Sequence, residues 1–359
     1  MDKKAKHINE LFLQLMKIAL GNADRFAEPP TQEEWVELML MSAKQSVVGV
    51  AFCGVERLPA EQRPPLEVIM DWAAVVDKIE KDNVALNETC VKVCSIFKQE
   101  GINACILKGQ GMGALYDAPL RRCSGDIDVW MEGGKEKVVS YIRKNFPKAE
   151  KPGGHHIAVT LKGGVEMEVH YIPAELFSPF HEKRMLQYYN NVQQQQWSNM
   201  LPSISINVPT KEFDLFFIIA HLFLHWAIDG CGLKQILDYY YLLKSVKGDD
   251  AVKQKAFSVL KECGLENFTS AMMAIFVRDF GMPEDLTICN PDYKKGKVLL
   301  EDIIAVGTVS CEELKQQSNV VKFIRRWFRV WRILPLAPTE LPWVLPKSTF
   351  GWITSKISR

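Results

Sequence analysis

Two aspartates spaced two residues apart are the residues of this chain best suited to metal and phosphate chemistry. Asp126 and Asp128 alternate with Ile127 and Val129. Successive side chains of a β-strand point to opposite faces, so we expect both carboxylates on one face and both aliphatic side chains in the core. Paired carboxylates repel each other, and hard cations such as Mg²⁺ bind them together with phosphate oxygens and water. Because an isolated Asp-x-Asp pair is commonly a solvated strand end, the flanking residues have to decide between these interpretations.

The residues before the two aspartates are typical of an anion-binding turn. Ile106-Leu107 ends an apolar run, Lys108-Gly109 predicts a turn, and the segment from Gln110 to Tyr116 predicts the start of a helix. A helix N-terminus offers unpaired backbone N–H groups and the positive end of the helix dipole to an anion. A phosphate site followed by a metal site indicates a protein that binds a nucleoside triphosphate.

The combined pattern resembles the uncharacterised bacterial nucleotidyltransferase family of the DNA polymerase β-like nucleotidyltransferase superfamily. The superfamily pattern is a glycine turn, an apolar-Asp-apolar-Asp strand and a third carboxylate on a later strand. The resemblance covers roughly residues 80–245, and more loosely the whole chain. The residues that carry it are Leu107-Lys108-Gly109, Leu115-Tyr116, Arg122 and Gly125-Asp126-Ile127-Asp128.

A predicted β-hairpin supplies the third carboxylate. Residues 156–161 and 165–170 predict two strands that are joined by a glycine turn. The period of two places Glu166, Glu168 and His170 on one face. A half-buried hairpin with its polar face in water would show the same alternation, so the residues alone leave this alternative open.

The resemblance selects among these hairpin residues. The corresponding strand of the family is apolar-Glu-apolar-His, which matches Met167 to His170 and implies Glu168 as the third acid, with Glu166 as second choice. Two departures leave room for an inactive member. Gln110 stands where the superfamily often has Gly or Ser, and the third acid is Glu where Asp is common.

The resemblance implies roles for the acids and for the nearby polar residues. Asp126, Asp128 and Glu168 would hold Mg²⁺ or Mn²⁺ and carry the catalysis. Lys108 and Arg122 can bind phosphate, Arg in a bidentate fork and Lys as a point charge. Alternatives are a solvated Lys108 and an Arg122 that orients Asp126 in an ion pair. The candidate nucleotide-binding residues are Lys108, Gly109, Gln110, Arg122 and Ser124.

Two later helices hold further candidates for the cleft. Thr210 is a good N-cap for a strongly apolar helix that carries His221 and His225 at positions i and i+4, on one face. This pair lacks the Glu of the metalloprotease motif, so we interpret both histidines as core or cleft residues. After a glycine turn, Asp238 lies on the next helix, where it can buttress the site or serve packing alone. Glu166, His170, His221, His225 and Asp238 are therefore the candidate cleft residues.

Composition and cysteine usage exclude some classes of protein. The chain of 359 residues is 47% hydrophobic and 24% charged, which is typical of a globular protein. A net charge of +1 gives no general case for nucleic-acid binding. Nine cysteines without a Cys-x-x-Cys pair favour reduced thiols and no structural zinc site. The N-terminal segment predicts neither a signal peptide nor a membrane span, so we expect a cytoplasmic protein.

The pattern along the chain predicts four regions. Residues 1–100 predict a helical N-terminal region, in which one helix begins after Thr31 and continues to about Cys53 and a long one covers residues 66–99 with a potential break at Asp82-Asn83. Residues 101–200 would form the nucleotidyltransferase core, 201–334 a helical C-terminal domain and 335–359 a Pro-rich tail.

A basic, aromatic face is predicted near the C-terminus. A basic amphipathic helix with tryptophans can contact an anionic membrane peripherally, here through residues 322–334. Packing against the body of the protein or contact with nucleic acid are the alternatives. The basic residues of this face are Lys322, Arg325, Arg326, Arg329 and Arg332.

The sequence therefore predicts an α+β fold, with a nucleotidyltransferase-like mixed β-sheet core embedded in a mostly helical protein. The implied function is transfer of a nucleoside monophosphate from an NTP to an acceptor, which is a small molecule, a protein or an RNA. The alternative is an inactive NTP-binding or regulatory protein of the same fold that is associated with a membrane surface.

Overall fold

The segments predicted as strands form one mixed four-stranded sheet. The strands are β1 (Ala104–Leu107), β2 (Ile127–Met131), β3 (His156–Thr160) and β4 (Glu166–His170). Their order is β1-β2-β4-β3, in which β2 and β4 run parallel and both outer pairs are antiparallel. A mixed sheet within a mostly helical chain confirms the predicted α+β class.

This computed structural model describes residues 3–123, 125–228, 230–306, 327–344 and 346–347. Helices make up most of the other described residues, together with a second sheet in which β5 (Met200–Leu201) pairs with β6 (Ile206–Asn207). No helix among the described residues is both long and apolar enough to span a membrane. The helices are α1 (Lys3–Ala19), α2 (Gln32–Lys44), α3 (Val48–Arg57), α4 (Leu66–Gln99), α5 (Gly109–Gly113), α6 (Gly134–Asn145), α7 (Pro179–Ser198), α8 (Lys211–Ile228), α9 (Leu233–Ser245), α10 (Asp250–Glu262), α11 (Glu266–Ala274) and α12 (Tyr293–Val306).

The two faces of the sheet contact different apolar clusters. On one face, Ile127, Val129 and Met167 pack with residues of α4 and α6. On the other, Trp130 belongs to a larger cluster that draws residues from each of the four predicted regions. Side chains alternate along a strand, so Asp128 lies on the same face as Trp130. The sheet therefore directs its acidic residues toward the helical body.

The predicted single helix from Thr31 to Cys53 is wrong, because the chain forms two helices there. Thr31 caps α2 in a capping box with Glu34, as its sequence indicates. The break follows at Gln45 and Ser46, where Ser46 has a φ of 54°. Gln45 is fully buried and its Oε1 accepts a hydrogen bond from the backbone N–H of Leu233, 3.0 Å away. This contact with α9 fixes the break, and local sequence does not reveal it.

The predicted long helix is α4, and it continues through Asp82-Asn83 without a break. Asn83 is 3% exposed. Its Nδ2 donates to the carbonyl oxygens of Leu120 and Arg122 at 2.7 and 2.8 Å. A polar residue within the helix thus binds the backbone that leads into β2, and so positions the candidate site.

The C-terminal basic face is only partly described, because Lys322, Arg325 and Arg326 lie outside the described residues. Residues 327–333 are helical, and Arg329 and Arg332 both contact the fully buried carboxylate of Asp302. These two arginines thus pack against the protein body. Contact with a membrane through 322–334 stays a prediction, and the exposed side chains on this segment are Trp327, Phe328 and Trp331.

The eight described cysteines are all free thiols. Burial raises the pKa of Cys105 well above its ordinary value and that of Cys231 to about 12. The thiols of Cys105 and Cys231 therefore stay protonated, and these two cysteines serve as small apolar core residues.

Replacement of Asn83 tests whether α4 holds the backbone before β2. We expect Asn83→Ala to lower the free energy of unfolding by about 2–4 kcal/mol, because two buried carbonyl groups lose their donor. Urea denaturation measures the change. The matched control is Asp82→Ala, which removes only an exposed ion pair with Lys78 and should cost at most about 0.5 kcal/mol. Equal costs in the two variants would contradict this role of Asn83.

Candidate active site

A polar cavity lies between the sheet and the helices α8 and α9, beside the turn after β1 and the start of β2. Its volume is about 130 Å³. Nine of the residues that the sequence singles out line it, together with Lys234 and Gln235. The lining residues are Lys108, Gly109, Arg122, Asp126, Asp128, Glu168, His221, His225, Lys234, Gln235 and Asp238.

The pairing of β2 with β4 brings two of the predicted acids together. The parallel register places Asp128 directly beside Glu168 and Trp130 beside His170. The Nε2 atom of His170 lies 3.0 Å from Asp128 Oδ1 and 3.5 Å from Glu168 Oε2. Ligand atoms of Asp128, Glu168 and His170 all lie within 4.8 Å of one another. This is a compact donor set for a cation.

Asp128 is a buried carboxylate that two basic groups stabilise. Only 2% of the residue is exposed. Burial acts to raise the pKa of Asp128, but Lys108 and His170 outweigh burial and hold that pKa well below its usual range. Burial acts to lower the pKa of His170, but the hydrogen bonds of its ring with Asp128 and Glu168 outweigh burial and raise that pKa. Asp128 is therefore ionised at neutral pH.

Lys108 is held in an unusual backbone conformation that aims its ammonium group into the cavity. Its φ of 48° and ψ of −131° lie in a region that favours glycine. The Nζ atom lies 2.8 Å from Asp128 Oδ1 and 2.7 Å from His221 Nε2. Non-Gly residues in such conformations cost about 1–3 kcal/mol and cluster at functional sites.

The contact with Lys108 fixes the tautomer of His221. An ammonium group only donates, so His221 Nε2 accepts and its Nδ1 carries the proton. Burial, followed by the charge of Lys108, lowers the pKa of His221 well below its ordinary value. His221 is thus a neutral acceptor beside the cavity, while His225, one turn later, is exposed at the cavity wall.

Arg122 forms a buried, bidentate ion pair with Asp238. Its Nε and Nη2 atoms each lie 2.7 Å from one carboxylate oxygen of Asp238. The hydroxyl of Tyr116 donates to the same carboxylate at 2.7 Å. Both charged residues are at most 5% exposed. The principal carboxylate partner of Arg122 is therefore on α9, and this pair connects the loop before β2 to the helical body.

Asp126 lies at the mouth of the cavity, one residue before β2 begins, and it is exposed. Its charge acts on Arg122 and on Lys234. Burial and the nearby Arg122 lower the pKa of Lys234. Asp126 is thus the most exposed of the acids that line this cavity, whereas Asp128 is enclosed.

Of the described candidate residues, Gln110, Glu166 and His170 are not among those that line the cavity. His170 is fully buried and contacts Asp128. Gln110 is buried, and its Nε2 donates to Asn87 on α4. Glu166 is exposed at the start of β4. Ser124 lies outside the described residues. The helix that begins at Gly109 is also shorter than predicted, since α5 ends at Gly113 and not at Tyr116.

Four nearby residues were missed at the level of sequence. Lys234 and Gln235 lie on α9, one turn before Asp238. Their spacing of four and three residues from Asp238 indicates that they share its face of the helix, and this could have identified them as cavity residues. His155 and His156 lie beside His170. The predicted hairpin implied the pairing of His156 with His170, because a turn at 162–164 makes these residues cross-strand partners.

Glycine substitution at Lys108 tests the backbone strain. Both Lys108→Gly and Lys108→Ala remove the ammonium group, but only glycine adopts the observed φ and ψ without strain. We expect Lys108→Gly to be more stable than Lys108→Ala by about 1 kcal/mol in urea denaturation.

The same pair of substitutions at Lys78, an exposed residue of α4, provides the control. There the order should reverse, with glycine about 1 kcal/mol less stable than alanine, because glycine weakens a helix interior. The same order at both positions would rule out strain at Lys108.

A double-mutant cycle tests the Arg122–Asp238 pair. Arg122→Met or Asp238→Leu alone should cost about 3–5 kcal/mol, since each leaves a buried charge without its partner. The double variant should be destabilised by at least about 2 kcal/mol less than the sum of the single variants. Additive costs in thermal and urea denaturation would show that the pair is not coupled.

Comparison with known proteins places this site within a family. The model of the family described as uncharacterised nucleotidyltransferase matches residues 31–281, which is well over half of the chain and includes every residue of the cavity. No protein of curated function matches the chain.

Two solved structures show distant likeness. An antigenic nucleotidyltransferase-like protein from Paracoccidioides brasiliensis is 15% identical, with a TM-score of 0.32 over 49% of this chain and 88% of the other. A CCA-adding enzyme from Thermotoga maritima, complexed with tRNA, is 13% identical, with a TM-score of 0.20 over 70% of this chain and 72% of the other. Neither likeness is close enough to inform the substrate. On the evidence of the sequence match across residues 31–281, the chain belongs to the uncharacterised nucleotidyltransferase family.

Proposed function

We propose that the protein transfers a nucleoside monophosphate from an NTP to an acceptor, through attack of an acceptor hydroxyl on the α-phosphate. The observation that carries this proposal is the convergence of Asp126, Asp128 and Glu168 with Lys108 and Lys234 in one cavity. Acids that bind divalent cations and lysines that bind phosphate are the two components that NTP chemistry needs.

The donor set fits Mg²⁺ or Mn²⁺. Asp128 and Glu168 are neighbours across parallel strands, and Asp126 lines the same cavity. Carboxylate oxygens are the ligands that these ions prefer, and all three residues would hold them. When bound, the ions neutralise the charge that develops on the α-phosphate and on the leaving pyrophosphate.

The lysines of the cavity bind and orient the phosphates. The ammonium group of Lys108 forms an ion pair with Asp128, and Lys108 also lines the cavity. Phosphate oxygens in the cavity can therefore take the place of some of the contacts that this ammonium group makes. Lys234 approaches the same space from α9. The Arg122–Asp238 pair is satisfied internally and keeps α9 in place. Lys108 and Lys234 thus act on substrate, and Arg122 acts by positioning.

The size of the cavity limits what it encloses. A pocket for a whole small-molecule ligand has a volume of roughly 300–1,000 Å³. At about 130 Å³, this cavity accommodates phosphate groups but not a complete nucleotide. The base and the acceptor therefore lie outside it, toward the exposed Asp126. Because Asp126 is the acid that meets solvent, it takes the proton of the attacking hydroxyl.

The alternative within the same family is an NTP-binding or regulatory protein without turnover. This alternative arises because Gln110 and Glu168 depart from the common pattern of the nucleotidyltransferase superfamily. Binding and transfer separate the two functions, because a regulatory protein retains the first and lacks the second.

Incubation with each α-³²P-labelled NTP, with and without Mg²⁺ or Mn²⁺ and with cell extract as a source of acceptor, tests the proposal. We expect transfer of label by the wild-type protein, and loss of transfer on chelation of the divalent ion. Asp126→Asn and Asp128→Asn should each reduce transfer by at least about 100-fold, because several kcal/mol of transition-state stabilisation are lost. NTP binding without transfer would establish the regulatory alternative, and the absence of both would overturn the proposal.

A matched pair on β4 tests the assignment of the third acid. Glu168→Gln removes the carboxylate beside Asp128, whereas Glu166→Gln makes the same change two residues earlier, at an exposed position. We expect at least about a 100-fold loss of transfer in Glu168→Gln and near wild-type transfer in Glu166→Gln. The reverse result would make Glu166 the third acid. Circular dichroism confirms that both variants are folded.

A further inference from the structure

Three histidine rings meet beside the candidate active site. The ring centroids of His155 and His156 are 4.6 Å apart, and each lies 5.3 Å from the centroid of His170. One nitrogen from each ring lies within 4.8 Å of one nitrogen from each of the others. The pairing of β3 with β4 sets His156 beside His170, and His155 reaches the same side from the bend before β3.

Each ring has one nitrogen near a carboxylate. His155 Nδ1 lies 3.3 Å from Glu175 Oε1, and His170 Nε2 lies 3.0 Å from Asp128 Oδ1. His156 Nε2 lies 3.6 Å from Glu168 Oε1. A ring that donates one N–H to a carboxylate keeps the lone pair of its other nitrogen for a ligand. Metal-binding histidines have this outer contact in proteins. His155 and His170 make it at hydrogen-bond distance, and Glu168 lies just beyond that distance from His156.

The remaining nitrogen of each ring is buried and lacks a hydrogen-bond partner in the described part of the chain. These atoms are His155 Nε2, His156 Nδ1 and His170 Nδ1. A buried polar atom without a partner costs about 1–3 kcal/mol, so such atoms are rare in folded proteins. His170 itself is fully buried. Three such atoms from one cluster indicate that a ligand completes it.

We propose that His155, His156 and His170 bind one Zn²⁺ ion or a similar divalent transition metal. Imidazole suits zinc, whereas Mg²⁺ prefers oxygen ligands, so this site and the acidic cavity select different ions. Three protein ligands leave a fourth position for water or a phosphate oxygen. Zinc–nitrogen bonds of about 2.0–2.1 Å place tetrahedral ligands roughly 3.4 Å apart. The nitrogens that lie within 4.8 Å of one another would therefore have to approach by roughly 1.4 Å at most.

Glu175 occupies space that the absence of a side chain at Gly154 leaves open. A Cβ atom on Gly154 would lie 1.7 Å from Glu175 Oε1, so any other residue there would displace this carboxylate from its place beside His155. Lys347 Nζ contacts the other oxygen of Glu175 at 3.0 Å. The carboxylate of Glu175 is therefore held from two sides. Glu175 acts as a positioning residue, because it orients the ring of His155.

The three rings of the cluster differ in their exposure to solvent. The side chain of His156 is 26% exposed, whereas that of His170 is fully enclosed. His156 thus forms the outer wall of the site, and His170 forms its base. The site also stands apart from NTP transfer, since its ligands need neither a nucleotide nor a second metal ion to bind zinc.

The two metal sites share His170, and the experiment has to separate them. His170 belongs to the imidazole cluster, and it also forms a second group of close ligand atoms with Asp128 and Glu168. His155 belongs only to the imidazole cluster, whereas Asp126 lines only the acidic cavity. Variants of His155 and Asp126 therefore report on different sites.

The test is calorimetric titration of the chelator-treated, full-length protein with Zn²⁺ in excess Mg²⁺ at slightly alkaline pH. Absorption of bound Co²⁺ provides an independent reading of the ligand geometry. We expect one Zn²⁺ ion per chain. His155→Gln and His156→Gln should each weaken binding by at least about 100-fold, and Glu175→Gln by about 10–100-fold. Asp126→Asn and His7→Ala, an exposed histidine elsewhere, should bind as the wild type does.

The opposite pattern overturns the proposal. If His155→Gln and His156→Gln both leave the zinc affinity unchanged, the ion binds on the acidic side or at the surface. The same conclusion follows if Asp126→Asn is the variant that loses zinc binding. Absence of zinc binding by the folded wild-type protein also overturns it. Thermal denaturation shows which variants are folded, and the partly exposed His156 provides the test if His155→Gln does not fold. Because no NTP is present, failure here is distinct from failure of the transfer assay.

Discussion

The buried carboxylate of Asp128 is the feature on which the rest of the site depends. An ionised group at 2% exposure is costly unless basic partners surround it. Lys108 and His170 both contact Oδ1, and together they hold the pKa of Asp128 low. Each partner comes from a different element, the turn after β1 and the strand β4. A single buried charge therefore ties three parts of the sheet together, and the strained backbone of Lys108 is retained to satisfy it.

The parallel pairing of β2 with β4 gives the protein two adjacent chemistries. The register sets Asp128 beside Glu168, which creates a group of oxygen donors suited to hard cations. On β4, His170 directs Nε2 to these acids, its Nδ1 has no hydrogen-bond partner among the described residues, and its ring lies 5.3 Å from those of His155 and His156. Occupation of the proposed zinc site would fix the ring of His170, and with it one partner of Asp128. If both proposed sites bind metal, they are coupled through one imidazole and select different ions.

Local sequence was sufficient where the structure depends on neighbours in the chain. The alternation along 165–170 predicted which side chains of β4 share a face, and the capping residue Thr31 marked the start of α2. The helix predicted to continue to Cys53 ends early because Gln45 binds Leu233, 188 residues later. The same limit applies to Asn83, whose polar side chain suggested a break in a helix and instead holds the backbone at Arg122.

The sequence by itself determined the α+β class, the family and the acids most suited to metal binding, because periodicity and short motifs encode faces and turns. Only the tertiary structure decided the partners of those residues. Lys108 meets His221 across 113 residues, and Arg122 meets Asp238 across 116. Such pairs depend on how α8 and α9 pack against the sheet, and a local pattern has no information on the distance between elements. The imidazole cluster shows both contributions, since the hairpin register implied His156 beside His170, while Glu175 and the bend at His155 came from the fold.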